Sequence, residues 1–397
     1  MEYKSSFYNF LPEIMGERML RPDFAPKIYD TTLRDGEQTV NVNFDTNQKV
    51  EIALLLDEVG VGRIEAGLPV VSREDRKAVE IIASLNLKAE VWGFSRCVPS
   101  DVVVNAELGV KAIVCEIATS EEKLKAFGFS EESVLDKAIE SLLIAKEKGL
   151  YTAFFAVDAT RTRMEFLKKI YQTAVSLGKA DEIVIPDTLG LSSPETIFYI
   201  VQKVQEWVPV PVHVHCHNDF GLATACSLAG LKAGARWVHV SVNGLGERSG
   251  NCDLAEIAMA AKFIYGIDLG INLQALKRLS KLVERFSGVP VSPQKPVVGD
   301  AIFKRDSGIV VTQLKKYPPA VEPYPPEIVG QVRDVVLSKK SGAHSVEFVL
   351  ERLGLDATPE EINRMVALVK ETALTKKRSL TDEEFMNIYK SVSQAAG

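Results

Sequence analysis

Two histidines spaced two residues apart are the side chains of this sequence best suited to bind a metal ion. His215 and His217 lie in the segment HVHCHND at 213–219, and the 397-residue chain has only five histidines. Side chains at positions i and i+2 of a β-strand point to the same face, so a strand here would project both imidazoles together. Adjacent buried imidazoles without a ligand would leave polar atoms unpaired, which favours a metal site. His213 is better explained as a histidine of the core.

Ionisable and polar side chains also stand at or near the ends of other apolar runs. These candidates are Arg34, Asp35, Gln38, Glu65, Arg96, Asp158, Arg161, Asp187, Thr188 and Asn251. Taken singly they have structural explanations, since Asp35 could belong to a turn and Glu65 could pair with an arginine inside a barrel. As a set, their oxygen and nitrogen atoms match a centre for Mg²⁺, Mn²⁺, Co²⁺ or Zn²⁺ with positions left for substrate.

Eight short β-branched runs recur about every 30 residues between Lys27 and Gly244, separated by segments of helical periodicity. They are KIYDTTL (27–33), RIEAGLP (63–69), AEVWGFS (89–95), KAIVCEIA (111–118), YTAFFAVD (151–158), DEIVIPDT (181–188), VHVHCH (212–217) and WVHVSVN (237–243). This alternation predicts an α/β fold, a (β/α)8 TIM barrel, in which the carboxyl ends of all strands form one rim. An open doubly wound sheet is the alternative, but no GxGxxG turn follows the first run.

The alternation of strands and helices stops after the eighth run. We predict an N-terminal extension at 1–26, a TIM-barrel catalytic domain at 27–285, and a linker with a small, mostly helical C-terminal subdomain at 286–397. The last region contains proline-rich stretches such as VPVSPQKPVVGD and closes with two helical patterns. Proline clusters between periodic segments are typical of loops and linkers.

The composition is that of a soluble globular protein, with 46% apolar and 25% charged residues. A net charge of −6 disfavours nucleic acid or an anionic membrane as the main partner. The five cysteines are scattered and never form a CxxC pair, which indicates free thiols in a reducing compartment. The first twenty residues mix charges with apolar positions and contain no signal-peptide core. We therefore predict a cytoplasmic protein.

Three long segments resemble the signature motifs of the DRE-TIM metallolyases. They are DTTLRDGEQ (30–38), HCHNDFGLATA (215–225) and NGLGERSGN (243–251). Within that superfamily the sequence is most similar to the 2-isopropylmalate, homocitrate and citramalate synthases, and especially to the short homocitrate synthases associated with nitrogenase. The resemblance extends to IEAGLP, PDTLG, KPVVG and SGAHSV. It implies a metal-dependent condensation of an acyl-CoA, most commonly acetyl-CoA, with a 2-oxo acid, by a homodimer with exchanged C-terminal regions.

The resemblance also implies roles for the candidate residues. Asp35, His215 and His217 would ligate the metal ion, with Asn251 contributing or lying beside it. Arg34 would polarise the keto oxygen of the 2-oxo acid. Gln38, Arg96 and Thr188 would hold the 2-oxo acid. We add Glu65 and Arg161 as substrate-binding candidates from their positions in or after the predicted strands. Such a site can stabilise the alkoxide that forms when an acyl-CoA enolate attacks the carbonyl.

The sequence departs from the family pattern at the groups that would transfer protons. Val157 stands where these synthases usually carry glutamate, and Val310 stands at or near the position of a histidine in the tail. Valine cannot exchange a proton. Three interpretations follow: a synthase whose base is Asp306, Asp158 or a water on the metal; a carbon–carbon lyase or aldolase; or a non-catalytic paralogue that pairs with an active subunit. We favour the first.

A basic group in the tail also has two explanations. Its members are Lys304, Arg305, Lys315 and Lys316. They could meet a CoA phosphate or an additional substrate carboxylate, or they could form a solvated basic face.

Overall fold

A computed structural model describes residues 25–394, and nearly all of the predicted N-terminal extension lies outside the described residues. The chain divides into two compact units, with the division between Val291 and Ser292. This division lies a few residues beyond the predicted boundary at 285.

The first unit is built around a closed barrel of eight parallel strands, in which each strand pairs with the next and β8 pairs with β1. The strands are β1 Lys27–Asp30, β2 Arg63–Glu65, β3 Glu90–Arg96, β4 Ala112–Ala118, β5 Tyr151–Val157, β6 Glu182–Asp187, β7 Val212–Cys216 and β8 Trp237–Val240. The predicted (β/α)8 barrel is therefore confirmed. Several strands end earlier than their apolar runs, because polar turns begin at the rim.

Helices follow the strands and cover the barrel. They are α1 Thr46–Val59, α2 Arg73–Ser84, α3 Pro99–Glu107, α4 Glu121–Phe127, α5 Glu131–Glu147, α6 Met164–Ser176, α7 Pro194–Trp207, α8 Ala223–Ala233, α9 Leu254–Phe263 and α10 Leu276–Ser287. Side chains at their starts accept backbone hydrogen bonds, as Asp45 does from Gln48 and Ser193 does from Thr196. Such caps fix where each helix begins and hence the length of each rim loop.

Inward-facing side chains of alternate strand positions fill the barrel. Below the rim, the guanidinium of Arg63 lies between Trp92 and Trp237, at 4.3 and 3.7 Å from their ring centres. It pairs with the buried Glu182, Nη1 to Oε2, at 2.5 Å. His213 Nε2 lies 2.7 Å from the same Glu182 oxygen, which agrees with the core role expected for this histidine.

The second unit is mainly helical. Two short strands, β9 Lys304–Arg305 and β10 Asp334–Val335, pair in parallel. The helices are α11 Gly308–Lys316, α12 Ala343–Leu353, α13 Pro359–Lys376 and α14 Asp382–Gln394. This is more helix than the two patterns read from the sequence. Its core contains Val346, Met365, Val369, Phe385 and Val392, all drawn from residues 337–392.

All five cysteines are buried and free of disulfide bonds. Among the described residues, no helix combines the length and the apolar character needed to cross a bilayer.

Candidate metal centre

Three side chains from two parts of the rim, the ends of β1 and β7, converge on one point. Asp35 follows β1, His215 belongs to β7, and His217 comes directly after β7. Asp35 Oδ2 lies 3.0 Å from His215 Nε2 and 3.7 Å from His217 Nε2, and the two Nε2 atoms are 3.2 Å apart. Ligand atoms bound about 2.1 Å from one ion are separated by about 3.0–3.4 Å at ordinary coordination angles. The three atoms therefore lie close to the spacing of a shared divalent cation.

Buried polar atoms without partners are concentrated at this point. Both carboxylate oxygens of Asp35 and the side-chain oxygen of Asn251 are buried without a well-formed hydrogen bond among the described residues. The amide nitrogen of Asn251 donates to the Leu245 carbonyl at 3.1 Å, and a β-bridge pairs Asn251 with His217. Leaving such atoms unpaired costs about 1–3 kcal/mol each. An oxygen and nitrogen set of this kind fits a divalent metal ion.

The protonation states favoured by the surroundings are those of metal ligands. Burial would raise the pKa of Asp35, but the Arg34 guanidinium and the two imidazoles hold that pKa well below its usual range. Burial, together with the neighbouring His215, lowers the pKa of His217 to about 3. An anionic carboxylate and a neutral imidazole are the forms that bind a metal.

Arg34 is held beside the metal trio, which consists of Asp35, His215 and His217, and one of its donor nitrogens remains available. Its Nε donates to Glu65 Oε2 at 2.5 Å, and its guanidinium stacks 4.1 Å from the ring centre of Phe94. Its Nη2 is buried and has no partner among the described residues. Glu65 also accepts from the Tyr29 hydroxyl at 3.0 Å, so both of its oxygens are engaged. Glu65 thus lies behind Arg34 as the partner of an arginine inside the barrel.

A cavity of about 430 Å³ opens over the trio and gathers part of the predicted site. The predicted residues among its lining are Arg34, Asp35, Gln38, Arg96, Thr188, His215 and His217. The predicted residues of the barrel unit outside this lining are Glu65, Asp158, Arg161, Asp187 and Asn251. Val157 lines the cavity as well, so the position that lacks glutamate does face the site.

Comparison with known protein families assigns both units. The family described as "HMGL-like" matches residues 25–283, and the family described as "Homocitrate synthase post-HMGL domain-like" matches residues 297–377. The chain belongs to the HMGL-like family. The resemblance to the DRE-TIM metallolyases and their synthases is thereby confirmed.

Named relatives resemble this HMGL-like chain over most of its length. Homocitrate synthase AksA of Methanothermobacter thermautotrophicus is 43% identical, covering 92% of this chain and 93% of the relative. The 2-isopropylmalate synthase of Methanocaldococcus jannaschii is 41% identical, covering 92% of this chain and 71% of the relative. The solved hydroxymethylglutaryl-CoA lyase of Pseudomonas aeruginosa covers 67% of this chain and 94% of its own at 18% identity and a TM-score of 0.59, a likeness of fold.

Asp158, one of the expected acid–base candidates, is engaged by other side chains of the HMGL-like domain. Its buried carboxylate accepts from Arg161 Nη2 at 2.6 Å and from the Ser120 hydroxyl. Its backbone N–H donates to Thr188 Oγ1 at 2.8 Å. Asp158 and Arg161 therefore brace the loop that presents Thr188, one layer behind the cavity.

Arg96 reaches the cavity with its charge already paired. Its Nε and Nη2 lie 2.7 and 3.1 Å from the carboxylate of Asp101, and its side chain is 55% exposed. This arrangement suits a residue at the mouth of the cavity more than one at its base.

Asp306, the other acid–base candidate, belongs to the second unit. Its carboxylate lies 2.6 Å from Lys340 Nζ and accepts from the Ser338 hydroxyl at 3.4 Å. In the same unit, Lys315 pairs with Glu351 at 2.9 Å. The charges of Asp306 and Lys315 are therefore compensated within the second unit.

The cavity also contains side chains that the sequence interpretation missed. Glu116 on β4 and Lys123 on α4 line it, and Phe127, Phe129 and Lys137 stand beside them. A signal for Glu116 was present, because it is the only charged residue in the strand AIVCEIA and shares a face with Val114.

Proposed function

We propose that this HMGL-like protein is a divalent-metal-dependent acyltransferase. It condenses an acyl-CoA, acetyl-CoA foremost, with a 2-oxo acid to form a 2-hydroxy dicarboxylic or tricarboxylic acid, as a homocitrate synthase does. The observation that most directly supports this proposal is the convergence of Asp35, His215 and His217 in one cavity, beside a nitrogen of Arg34 that has no partner among the described residues. The names of the relatives, homocitrate synthase and 2-isopropylmalate synthase, support the same reaction class.

The metal ion would be held by Asp35, His215 and His217, with the side-chain oxygen of Asn251 as a further ligand. When bound, the ion supplies a Lewis acid that polarises the keto oxygen of the substrate. Mg²⁺, Mn²⁺, Co²⁺ and Zn²⁺ all accept this set of oxygen and nitrogen ligands.

Arg34 stabilises the negative charge that develops on the keto oxygen. Its Nη2 is the free donor, while Glu65 and the ring of Phe94 hold the guanidinium in place. A donor that is already oriented needs no reorganisation during the reaction, which is the source of its effect on rate. Glu65 is therefore a positioning residue.

Thr188, Gln38 and Arg96 orient the carboxylate of the 2-oxo acid. Thr188 Oγ1 accepts a hydrogen bond from the Asp158 backbone, which leaves its own O–H free to donate to the substrate. Gln38 and Arg96 add donors on the cavity wall. Arg161 contributes through Asp158, which it holds in place.

The acyl-CoA enters past α4 and α5. The rings of Phe127 and Phe129 stack 5.6 Å apart, and Lys137 Nζ lies 5.5 Å from the Phe129 ring centre. Aromatic faces suit an adenine, and the ammonium groups of Lys123 and Lys137 suit phosphates. These features support a nucleotide-bearing thioester as the donor.

The protein acts as a homodimer with exchanged C-terminal regions and works in the cytoplasm. The resemblance to the DRE-TIM synthases supports the dimer, and five free cysteines support a reducing compartment. Light scattering should give a mass of about 87 kDa, twice the 43.7 kDa of one chain. A mass near that of one chain would exclude the exchange.

The test of the reaction is an assay for free thiol. The metal-loaded protein is incubated with acetyl-CoA and, separately, 2-oxoglutarate, oxaloacetate, pyruvate and 2-oxoisovalerate. Thiol release that depends on one of these acids supports the proposal. If no thiol is released with any of the four acids, and the protein cleaves a hydroxyacyl-CoA or a hydroxy acid, the protein is a lyase instead. Activity only beside a homologous subunit would indicate a paralogue.

A further inference from the structure

One acid in the cavity of the HMGL-like domain has no hydrogen-bonded or ion-paired partner among the described residues. Glu116 lies on β4, two residues beyond Val114 of the barrel core and on the same face of the strand. It lines the cavity together with the metal trio. Within residues 25–394 its carboxylate makes no hydrogen bond or ion pair.

The other lining groups that could exchange a proton near neutral pH either serve as proposed metal ligands or are poorly suited to act as a base. They are Asp35, Cys97, His215, His217 and Glu247. Three of these form the metal trio. Burial raises the pKa of Cys97 well above its ordinary value, which keeps the thiol protonated. Glu247 lies at the exposed rim, 3.6 Å from Arg248. Glu116 is the acid that remains.

The surroundings of Glu116 suit proton transfer. Burial raises the pKa of Glu116 to about 7; the charges of Glu65 and Asp35 add to this effect, and those of Arg34 and Lys123 oppose it. A general acid–base group is most effective when its pKa lies near the working pH. The strand partner of Glu116 on β5 is Phe155, whose ring also lines the cavity, so apolar surface borders the carboxylate.

We propose that Glu116 is the catalytic base that removes a proton from the methyl group of the acyl-CoA. This rests on the condensation proposed above. The carboxylate accepts the proton, and the C–H electron pair forms the enolate. The enolate carbon then bonds to the keto carbon of the 2-oxo acid, whose π electrons move to the keto oxygen. That oxygen gains a proton from water, and Glu116 returns its own proton to water. Addition of water to the thioester finally releases the free thiol.

The test compares Glu116→Gln with wild type by thiol release. We expect kcat to fall at least about 100-fold, the usual contribution of a general base. The KM for the 2-oxo acid and the metal content should stay within about threefold, because neither the trio nor Arg34 is altered. Glu116→Asp keeps a carboxylate and should retain more activity than Glu116→Gln. Replacing acetyl-CoA by its CD3 form should slow Glu116→Gln more than wild type, since proton removal becomes the slowest step.

Glu121→Gln is the matched control, because Glu121 is an exposed acid on the helix that follows the same strand. It should leave kcat unchanged. If Glu116→Gln keeps kcat within about threefold of wild type, or loses its metal ion, Glu116 is not the base. Failure of wild-type protein to release thiol with any acid would instead overturn the proposed condensation. The two failures are therefore distinguishable.

Discussion

At the scale of single residues, His217 carries much of the proposed chemistry. Its Nε2 is aimed at Asp35 and His215, and its backbone N–H donates to the Asp187 carbonyl at 3.3 Å. Backbone bonds of this kind fix the imidazole where a flexible loop could not. The positions of the two imidazoles are therefore a property of β7 and its immediate continuation.

His217→Ala should remove the bound metal ion and the thiol-releasing activity. Loss of one of the proposed protein ligands should weaken metal affinity by well over the 10–100-fold seen when only a supporting contact is lost. Elemental analysis of the purified variant measures the ion directly. His344→Ala is the control, because His344 is half-exposed in the second unit, where it pairs with Glu347. A full complement of metal in His217→Ala would contradict the ligand assignment.

Arg34→Lys tests the free donor of the guanidinium. A lysine has a single charged nitrogen, so it cannot pair with Glu65 and also reach the keto oxygen. We expect kcat to fall by about 10²–10³-fold while metal content is retained, as for the loss of one oriented donor. Arg76→Lys at an exposed ion pair with Glu107 provides the control. Unchanged turnover in Arg34→Lys would remove Arg34 from the mechanism.

At the scale of elements, the barrel strands are tied together below the site by a buried charge cluster. Arg63 of β2 is enclosed by two tryptophans and pairs with Glu182 of β6, which His213 of β7 also contacts. The same arginine pairs with Glu90 of β3, whose side chain is 59% exposed. One arginine thus has a buried and an exposed partner, which permits a matched comparison.

Glu182→Gln should lower the free energy of unfolding by about 3 kcal/mol, because it leaves a buried guanidinium without its main counter-charge. Glu90→Gln should cost under about 1 kcal/mol, since exposed pairs contribute little. Chemical denaturation at pH 7 measures both. Equal effects would show that burial does not decide the strength of these pairs.

The same pair predicts how stability depends on pH. Burial opposes ionisation of Glu182, but His213 and Arg63 outweigh it and lower the pKa of Glu182 from 4.5 to about 2. A depressed carboxyl pKa contributes stability that is complete above pH 4.5 and is lost as the pH falls toward 2. The stability difference between wild type and Glu182→Gln should therefore shrink across that window. A difference that stays constant would contradict this origin.

At the scale of the whole molecule, each of the two units contains a hydrophobic cluster built from its own residues. One hydrophobic cluster of the second unit is drawn from residues 337–392 and another contains Val311, Leu314 and Val335. The barrel cluster that lies under the site runs from Tyr29 to Trp237. Damage to one core should therefore leave the local chemistry of the other intact.

Phe385→Ala should destabilise the second unit by about 3–5 kcal/mol through loss of a buried ring. The metal content should remain that of wild type, because all of the proposed ligands belong to the barrel. Leu374→Ala is the control, since Leu374 is exposed and its loss should have little effect. Calorimetry and elemental analysis together measure the outcome. Loss of metal in Phe385→Ala would show that the units depend on each other.

The barrel and the shared face of His215 and His217 were predictable because both follow from local patterns, whereas Asp35 was assigned as a ligand through the family resemblance. Alternation of apolar runs and helical segments indicates the fold, and two-residue spacing places His215 and His217 on one face. Strand ends were less accurate. The run 27–33 was interpreted as one strand, but β1 ends at Asp30, whose carboxylate accepts from the backbone and hydroxyl of Thr32 and starts a turn.

The acid–base candidates were harder to judge from the sequence, because their availability depends on partners distant in sequence. Asp158 has the right residue type and position, yet Ser120, 38 residues earlier, takes one of its oxygens. Asp306 is likewise paired with Lys340. Glu116 faces the cavity only because β4 lies in one particular register beside β5. Such pairings are set by tertiary packing, which spacing alone does not reveal.

One further consequence concerns β7, because one face of this strand presents imidazoles and the other face packs against a helix. His213, His215 and His217 alternate with Val212, Val214 and Cys216, and Val214 packs against Gly230 of α8. Inserting or deleting a single residue in this strand would swap the two sets, turning imidazoles toward a helix and valines toward the substrate. Natural length variation should therefore be absent between residues 212 and 217 and confined to the rim loops. Substitutions in this strand can therefore be tolerated, whereas a change in its length cannot.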